Sequence, residues 1–210
     1  MTGRGFSIAS TLIVVAVLLG AVWLFIFNIQ HAPSGLSPGR APGRTDATPA
    51  STAPEQPRNV EVGPFGLAVP VAGVRTGELV DTFDAARSGG RVHDAIDIMA
   101  PEGTPVVAAA DGQVEKLFNS FRGGITLYVR SPDTRWNYYY AHLNRYAPGI
   151  GEGQQVRRGQ LLGFVGHTGD ASPSGPHLHF AINQMGRGDG WWEGQAINPY
   201  PLLAGRPGSR

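Results

Sequence analysis

Two hydrophobic patterns divide the chain. Between Ile8 and Phe27, twenty consecutive positions are apolar or small and carry no charge. As a helix, such a stretch rises about 30 Å, the thickness of the hydrocarbon core of a bilayer. The pattern therefore predicts one N-terminal transmembrane helix over residues 8–29, preceded by a short cytoplasmic tail, residues 1–7.

A cleaved signal peptide is the alternative interpretation of this segment. Its apolar core would span roughly 7–15 residues and lead into a small-residue cleavage site. The apolar run here is longer, and residues 28–31 (Asn-Ile-Gln-His) contain no such site, so an uncleaved signal anchor is favoured. Arg4 is the only charge before the span. The positive-inside rule then predicts a single-pass protein of the cytoplasmic membrane, with the remaining chain extracytoplasmic, periplasmic or wall-facing.

Residues 30–65 have a different composition. Proline recurs among glycine, serine, threonine and alanine, and large apolar side chains are rare. A segment of this kind buries too little apolar surface to offset its conformational entropy. We expect a flexible linker here.

After the linker, apolar residues occur in short runs separated by turn residues. Such runs are typical of strands, and no sustained 3.6-residue periodicity follows the anchor. The expected class is mainly β, a small antiparallel β-sheet domain over residues 66–201 with a C-terminal tail, residues 202–210. The predicted strands are Ala95–Met99, Pro105–Ala109, Gly112–Phe118, Gly124–Arg130, Trp136–His142, Leu161–Val165 and His177–Asn183.

The composition limits the kinds of partner and active site that the chain can have. The formal net charge of the 210 residues is +1, so no nucleic-acid partner is expected. The sequence contains no cysteine, which excludes disulfides, thiolate metal sites and a cysteine nucleophile. Neither a helical H-E-x-x-H motif nor a phosphate-binding G-x-x-x-x-G-K motif is present. A metal site would therefore have to use histidine and carboxylate ligands.

Two short motifs supply such ligands. On a strand, His177 and His179 point to the same face because side chains alternate. His93 and Asp97 share a face on a strand and also on a helix, where they are i and i+4. Two ligands from this pair and one from His177 or His179 give the three protein ligands of a catalytic zinc site, with a fourth position open.

These motifs belong to a longer series. In chain order the series comprises Arg91–Ile98, Gly103–Gly112, Tyr139–Leu143, Gly153–Gln160, Gly166–Gly169 and Gly175–Phe180. Together and in this order, the segments resemble the lysostaphin/LytM-type zinc metalloendopeptidases, which are peptidoglycan hydrolases. The resemblance covers about residues 66–201, the whole predicted domain.

The resemblance implies a zinc-containing groove with one Zn²⁺ per domain. Matched position by position, His93, Asp97 and His179 correspond to the metal ligands, and His142 and His177 to the two unliganded catalytic histidines. One of these two would take a proton from the zinc-activated water, and His177 is favoured because a ligand lies two residues away. The family pattern H-x-G-x-D has Ala95 in place of glycine here, and its methyl group is expected to narrow the floor of the site.

The implied function is a membrane-anchored zinc metalloendopeptidase that hydrolyses peptide bonds in peptidoglycan stem peptides or cross-links. Its partners would be peptidoglycan and the cytoplasmic membrane. The interpretation also allows for a regulatory protein partner. One alternative is a catalytically silent wall-binding domain that regulates or activates another cell-wall hydrolase. Family members of that kind have usually lost site residues, whereas all five are present here. A peptidase acting on a periplasmic or secreted protein is a third hypothesis.

Other polar and aromatic residues receive simpler interpretations. His167 is expected at the surface or at the edge of the groove, and Asp94 to point away from the metal. Half of the aromatic residues at 136–140 should face the core, and one or two the groove. Trp191 and Trp192 fit a groove wall and internal packing equally well.

Overall fold

One antiparallel β-sheet organises the part of the chain that the structure describes. The structure is a computed structural model and describes residues 55–208. The predicted transmembrane helix, the cytoplasmic tail and most of the predicted linker lie outside this range. Within it, no helix is long and apolar enough to cross a membrane.

The sheet contains nine strands within residues 55–208, in the order β1-β8-β5-β4-β3-β6, and all pairings are antiparallel. Strand β7 pairs with β2 and with the end of β5, and β9 extends the sheet beside β8. The strands are β1 Ile96–Met99, β2 Pro105–Val107, β3 Gly112–Ser120, β4 Gly124–Arg130, β5 Trp136–Tyr146, β6 Gln155–Val156, β7 Leu161–Val165, β8 His177–Gln184 and β9 Gln195–Ile197. Short 3₁₀ helices span Thr76–Glu78 and Ser88–Gly90.

The antiparallel, mainly β prediction is confirmed. Each of the seven predicted strands corresponds to an observed one, and β4 and β7 match at both ends. Strands β6 and β9 were missed because two or three residues are too few to display an alternating pattern. Strand β5 continues four residues past its predicted end, to Tyr146.

A short helix closes the domain. Helix α1, Pro199–Ala204, begins after Asn198, whose side chain accepts a hydrogen bond from the Tyr200 amide. It ends at Gly205 in the left-handed conformation. Its six residues are too short to show helical periodicity, so the sequence did not predict it.

Contacts of the domain extend past the predicted bounds 66 and 201. On one side, the Val69 amide donates to the Glu61 carbonyl, and Val62 bridges to Ala68. On the other, Leu203 of α1 is fully buried in the core. The predicted domain boundaries themselves stay predictions.

Alternation along the strands separates a core face from a groove face. On β8, Leu178, Phe180 and Ile182 are buried, while His177 and His179 alternate with them and lie on the other face. On β5, Tyr138 and Tyr140 belong to the core, and Tyr139 faces the groove. This agrees with the predicted division of the aromatic residues and places two of the predicted site histidines on the exposed side of the sheet.

Candidate active site

Strand register brings Asp97 and His179 together. Asp97 on β1 lies directly opposite His179 on β8, and Ala141 on β5 lies opposite His179 on the other side. His177 pairs with Met99, one step along the same face. Two of the three predicted metal ligands are therefore cross-strand neighbours on the sheet.

His93 reaches the site by a different route. It precedes β1, which begins at Ile96 and not at Ala95 as predicted, so His93 does not share a strand face with Asp97. A small hairpin holds it instead. The His93 amide donates to the Ala85 carbonyl at 3.0 Å, and the His93 carbonyl accepts from the Asp84 amide at 2.9 Å.

Three electron-pair donors converge where the hairpin meets the sheet. The Nε2 atom of His93 lies 3.0 Å from Nδ1 of His179 and 3.2 Å from Oδ1 of Asp97, and His179 Nδ1 lies 3.2 Å from the same oxygen. Tetrahedral ligands bonded at about 2.0 Å would be separated by roughly 3.3 Å. The two histidines and one carboxylate thus form a nearly equilateral triangle that fits a small divalent cation such as Zn²⁺.

Thr82 orients the ligand from the hairpin, His93, and the ligand from strand β1, Asp97. Its carbonyl accepts a hydrogen bond from Nδ1 of His93 at 2.7 Å, which leaves Nε2 of the neutral ring as the lone-pair donor. Its hydroxyl oxygen accepts from the Asp97 amide at 2.9 Å. No local sequence signal marks Thr82, because its role depends on a contact between segments.

Arg87 also contacts the ligands. Its Nη2 atom lies 2.8 and 2.9 Å from the two ring nitrogens of His93, and it donates to Oδ2 of Asp97. The oxygen that Arg87 binds is not the one that faces the two histidines. The sequence analysis did not identify Arg87, since a single arginine in a glycine-rich turn has no distinctive spacing.

These neighbours determine the charge of Asp97. Burial disfavours the ionised carboxylate, but its contacts with the rings of His179 and His93 and with the Arg87 guanidinium outweigh this effect and hold the pKa of Asp97 well below its usual range. Asp97 is therefore an anion at all physiological pH values, as a metal ligand must be.

His142 and His177 lie beside the three ligands. The rings of His142 and His177 are 4.9 Å apart, and the ring of His142 is 5.6 Å from that of His179. Nε2 of His177 lies 3.7 Å from Oδ1 of Asp97. The structure thus places all five predicted site residues within one group, while their individual roles stay predictions.

A break in strand pairing positions His142. Strand β5 pairs with β8 as far as Ala141 and then with β7 from Leu143 onward. At this switch His142 adopts φ +58°, which is unusual for a residue other than glycine. The His142 amide donates to the Gly123 carbonyl at 2.8 Å.

Glycines allow a loop to approach this break. A Cβ on Gly169 would lie 2.0 Å from the Arg122 carbonyl oxygen, and one on Gly124 would lie 2.2 Å from the Thr168 hydroxyl. Only glycine permits this separation. The close packing brings the Thr168 carbonyl to 2.8 Å from Nδ1 of His142.

Both catalytic candidates have the same hydrogen-bonding pattern. Nδ1 of His142 donates to the Thr168 carbonyl, and Nδ1 of His177 donates to the Gly175 carbonyl at 2.8 Å. Because a carbonyl can only accept, the proton of each neutral ring is on Nδ1 and Nε2 is a proton acceptor. Burial also lowers the pKa of His142, although the hydrogen bond that the ring donates to the Thr168 carbonyl acts in the opposite direction.

The five residues lie in an open groove of about 660 Å³. The side chain of Ala95 is fully buried and is not part of the lining, so the expectation that its methyl group narrows the floor of the site was wrong. Asp94 is exposed as expected, but it does line the groove. His167 is partly exposed, outside the groove lining, with Nδ1 3.1 Å from a Glu102 carboxylate oxygen.

Comparisons with known proteins agree with this geometry. Residues 91–199 match the model of peptidase family M23. The chain is 38% identical over 127 residues to an L-Ala–D-Glu endopeptidase of Bacillus subtilis, a region that is 57% of this chain and 37% of that protein. It is 26% identical over 181 residues to the murein hydrolase activator NlpD of Salmonella dublin, covering 84% of this chain and 44% of that one.

A solved structure shows the same fold. A putative glycyl-glycine endopeptidase LytM from Ruminococcus gnavus superposes with a TM-score of 0.51 at 33% identity, over 60% of this chain and 52% of that one. The chain spans less than half the length of the two curated relatives above. The family match covers more than half of the present chain and includes all five site residues. The chain therefore belongs to peptidase family M23, the LytM/lysostaphin family.

Proposed function

We propose that the protein is a zinc metalloendopeptidase that hydrolyses peptide bonds in peptidoglycan stem peptides or cross-links. We further propose that residues 8–29 anchor it in the cytoplasmic membrane with the catalytic domain outside. The observation that carries the proposal is the triangle of donors from His93, Asp97 and His179, with two more histidines beside it in an open groove.

His93, Asp97 and His179 would hold the ion, with Thr82 fixing the orientation of the first two. When bound, zinc polarises the scissile carbonyl and lowers the pKa of a coordinated water toward 7. With a volume of about 660 Å³, the groove is large enough to admit part of a peptide to this point.

The unliganded histidines would move the protons. His177 is assigned as the base, because its acceptor Nε2 lies 3.7 Å from Oδ1 of Asp97, the oxygen that would bind the ion. His142, whose pKa burial lowers, is neutral at pH 7. Its Nε2 would accept a hydrogen bond from the attacking water, which only the neutral ring can do. His177 would pass the proton that it takes from this water to the leaving amine.

A digest of purified sacculi tests the proposal. The full chain in detergent is incubated with sacculi in the presence of zinc or chelator, and the released fragments are analysed by mass spectrometry. His142→Ala serves as the matched control, because it leaves the three ligands in place. New peptide termini that require both the metal and His142 are expected and would identify the bond. No release by a zinc-loaded chain would exclude the peptidoglycan endopeptidase.

A second candidate is a wall-binding regulator of another hydrolase. It is supported by the similarity to a protein named as a murein hydrolase activator. Presence of all five site residues favours the enzyme. Stimulation of a separate wall hydrolase that survives chelation and His142→Ala, without cleavage by this chain alone, would establish the regulator.

A further inference from the structure

The candidate metal centre formed by His93, Asp97 and His179 lies where two clefts meet. The first is the groove described above, and the second is a cleft of about 520 Å³ that extends across the sheet toward β9. Asp94, Tyr139 and His179 line both. Volumes of this size are typical of ligand sites, so a peptide bound at the ligands would extend into the second cleft.

Aromatic side chains form one wall of this second cleft, which we call the tryptophan cleft. Its aromatic lining consists of Tyr128, Tyr139, Trp191 and Trp192. The ring centroids are 4.5 Å apart for Tyr128 and Tyr139, 4.9 Å for Tyr128 and Trp191, and 5.3 Å for Trp191 and Trp192. Three of these rings, those of Tyr128, Tyr139 and Trp191, are packed on the sheet, whereas Trp192 is 65% exposed.

The wall is held in place before any ligand arrives. The carbonyl of Trp191 accepts a hydrogen bond from the buried Asn137 side chain at 3.2 Å. Glu193 Oε2 accepts from the Gly190 amide at 2.7 Å, which closes the turn that presents Trp192. An exposed tryptophan on a fixed turn can bind a ligand face without much loss of conformational freedom.

The two clefts differ in the charged side chains that line them. The tryptophan cleft contains the carboxylates of Asp94 and Glu193 and neither lysine nor arginine, and its remaining polar side chains are neutral. Both carboxylates are exposed, and neither forms an ion pair with another residue of the described range 55–208. In contrast, the lining of the first groove includes three arginines beside its three aspartates, and these arginines are Arg87, Arg91 and Arg122.

This combination selects one type of group. A carboxylate would be repelled by Asp94 and Glu193, and a neutral ring would gain only stacking. A primary ammonium gains attraction from both carboxylates and from the aromatic faces, which bind cations through their quadrupoles. We propose that the tryptophan cleft is a subsite for a primary ammonium group of the substrate peptide, carried by a diamino acid near the scissile bond.

This proposal rests on the proposed endopeptidase function and determines how the substrate lies. The ammonium-bearing residue would occupy the tryptophan cleft. Carboxylate-bearing residues of the same peptide would lie toward the arginines on the other side of the ligands.

A pair of synthetic peptides tests the subsite. Both are wall-type stem peptides with one lysine, and they differ only in that the lysine side chain is free or Nε-acetylated. Binding to the full-length zinc-loaded His142→Ala chain is measured by calorimetry, so that it does not depend on turnover. Cleavage by the unsubstituted chain is measured in parallel as kcat/KM.

We expect the free amine to bind roughly five- to tenfold more tightly than the acetylated form. Glu193→Gln removes the charge but keeps an acceptor for the Gly190 amide, and it should reduce this preference several-fold. Trp192→Ala should do the same. Phe121→Ala is the matched control, because Phe121 is a 91% exposed aromatic residue that does not line the tryptophan cleft, and it should retain the preference.

The outcomes separate this proposal from the proposed function. Cleavage of both peptides with equal binding would overturn the ammonium subsite and leave the endopeptidase intact. Amine-dependent binding that requires Glu193, without any cleavage, would support the subsite and refute the enzyme. Tighter binding of an N-acetylglucosamine tetramer that requires Trp192, without an amine preference, would assign the cleft to sugar and overturn the proposal.

Discussion

The two halves of the candidate metal centre are built differently. Asp97 and His179 are opposed on adjacent strands, so the register of the sheet fixes their separation. His93 comes from a hairpin whose turn contains Gly89 and Gly90 in left-handed conformations, and a few hydrogen bonds hold it in place. The comparison teaches that the site joins a rigid half to a half that depends on contacts outside the sheet.

Removing the carboxylate of the strand half should have the largest effect. Asp97→Asn keeps the shape but replaces an anionic ligand with a neutral amide. Loss of a residue that only hydrogen-bonds to a ligand lowers metal affinity by up to roughly 100-fold. Because Asp97 would be a ligand itself, we expect zinc affinity to fall by more than this and turnover to disappear. Chelator competition measures the affinity. Zinc affinity within tenfold of the unsubstituted chain would mean that Asp97 is not a ligand.

The pH profile probes His142, which lies at the break in β5. Its neutral ring is the active form in the proposed reaction, and burial lowers its pKa below the ordinary value near 6.5. As pH falls through that lowered pKa, the ring gains a proton and kcat/KM should decline about tenfold per pH unit. The acid limb should thus lie below 6.5.

His142→Ala provides the control for this profile. Its residual activity, measured over the same range, should lack that limb. An unchanged acid limb in the variant would assign the titration to another group.

Thr82→Val tests the link between the two halves. The valine retains the main-chain carbonyl that binds His93 but loses the hydroxyl that accepts from the Asp97 amide. Zinc affinity should fall about tenfold, as is typical when an outer partner is lost. Thr82→Ser keeps the hydroxyl and should restore most of the affinity. Equal affinities in all three proteins would show that the strand half needs no support from Thr82.

Arg87→Ala concerns the hairpin half and should have the smallest effect. The guanidinium is within 2.9 Å of His93 Nε2, so it must move when a cation binds there. We expect the variant to bind zinc roughly threefold more tightly, with Arg91→Ala unchanged as control. Weaker binding would show instead that Arg87 holds the Asp97 carboxylate in its ligating orientation.

Some of this architecture follows from local pattern. Alternation of apolar residues along β8 was sufficient to place His177 and His179 on one face, and short apolar runs located seven strands. The resemblance of the motifs to a known family identified all five histidine and aspartate residues that the structure brings together. Short elements such as β6, β9 and α1 escaped because they contain too few residues for a periodic signal.

The sequence by itself determined which side chains were available, which of them share a strand face, and that a metal site would have to use histidine and carboxylate. The tertiary structure alone decided that His93 meets His179 across 86 positions of chain, that Thr82 orients the ligands, and that Arg87 lies against them. It also decided that Trp191 and Trp192 line a cleft beside the site. The physical reason is that periodicity reports the direction of a side chain within its own element, whereas these contacts join elements whose separation depends on the packing of the whole sheet.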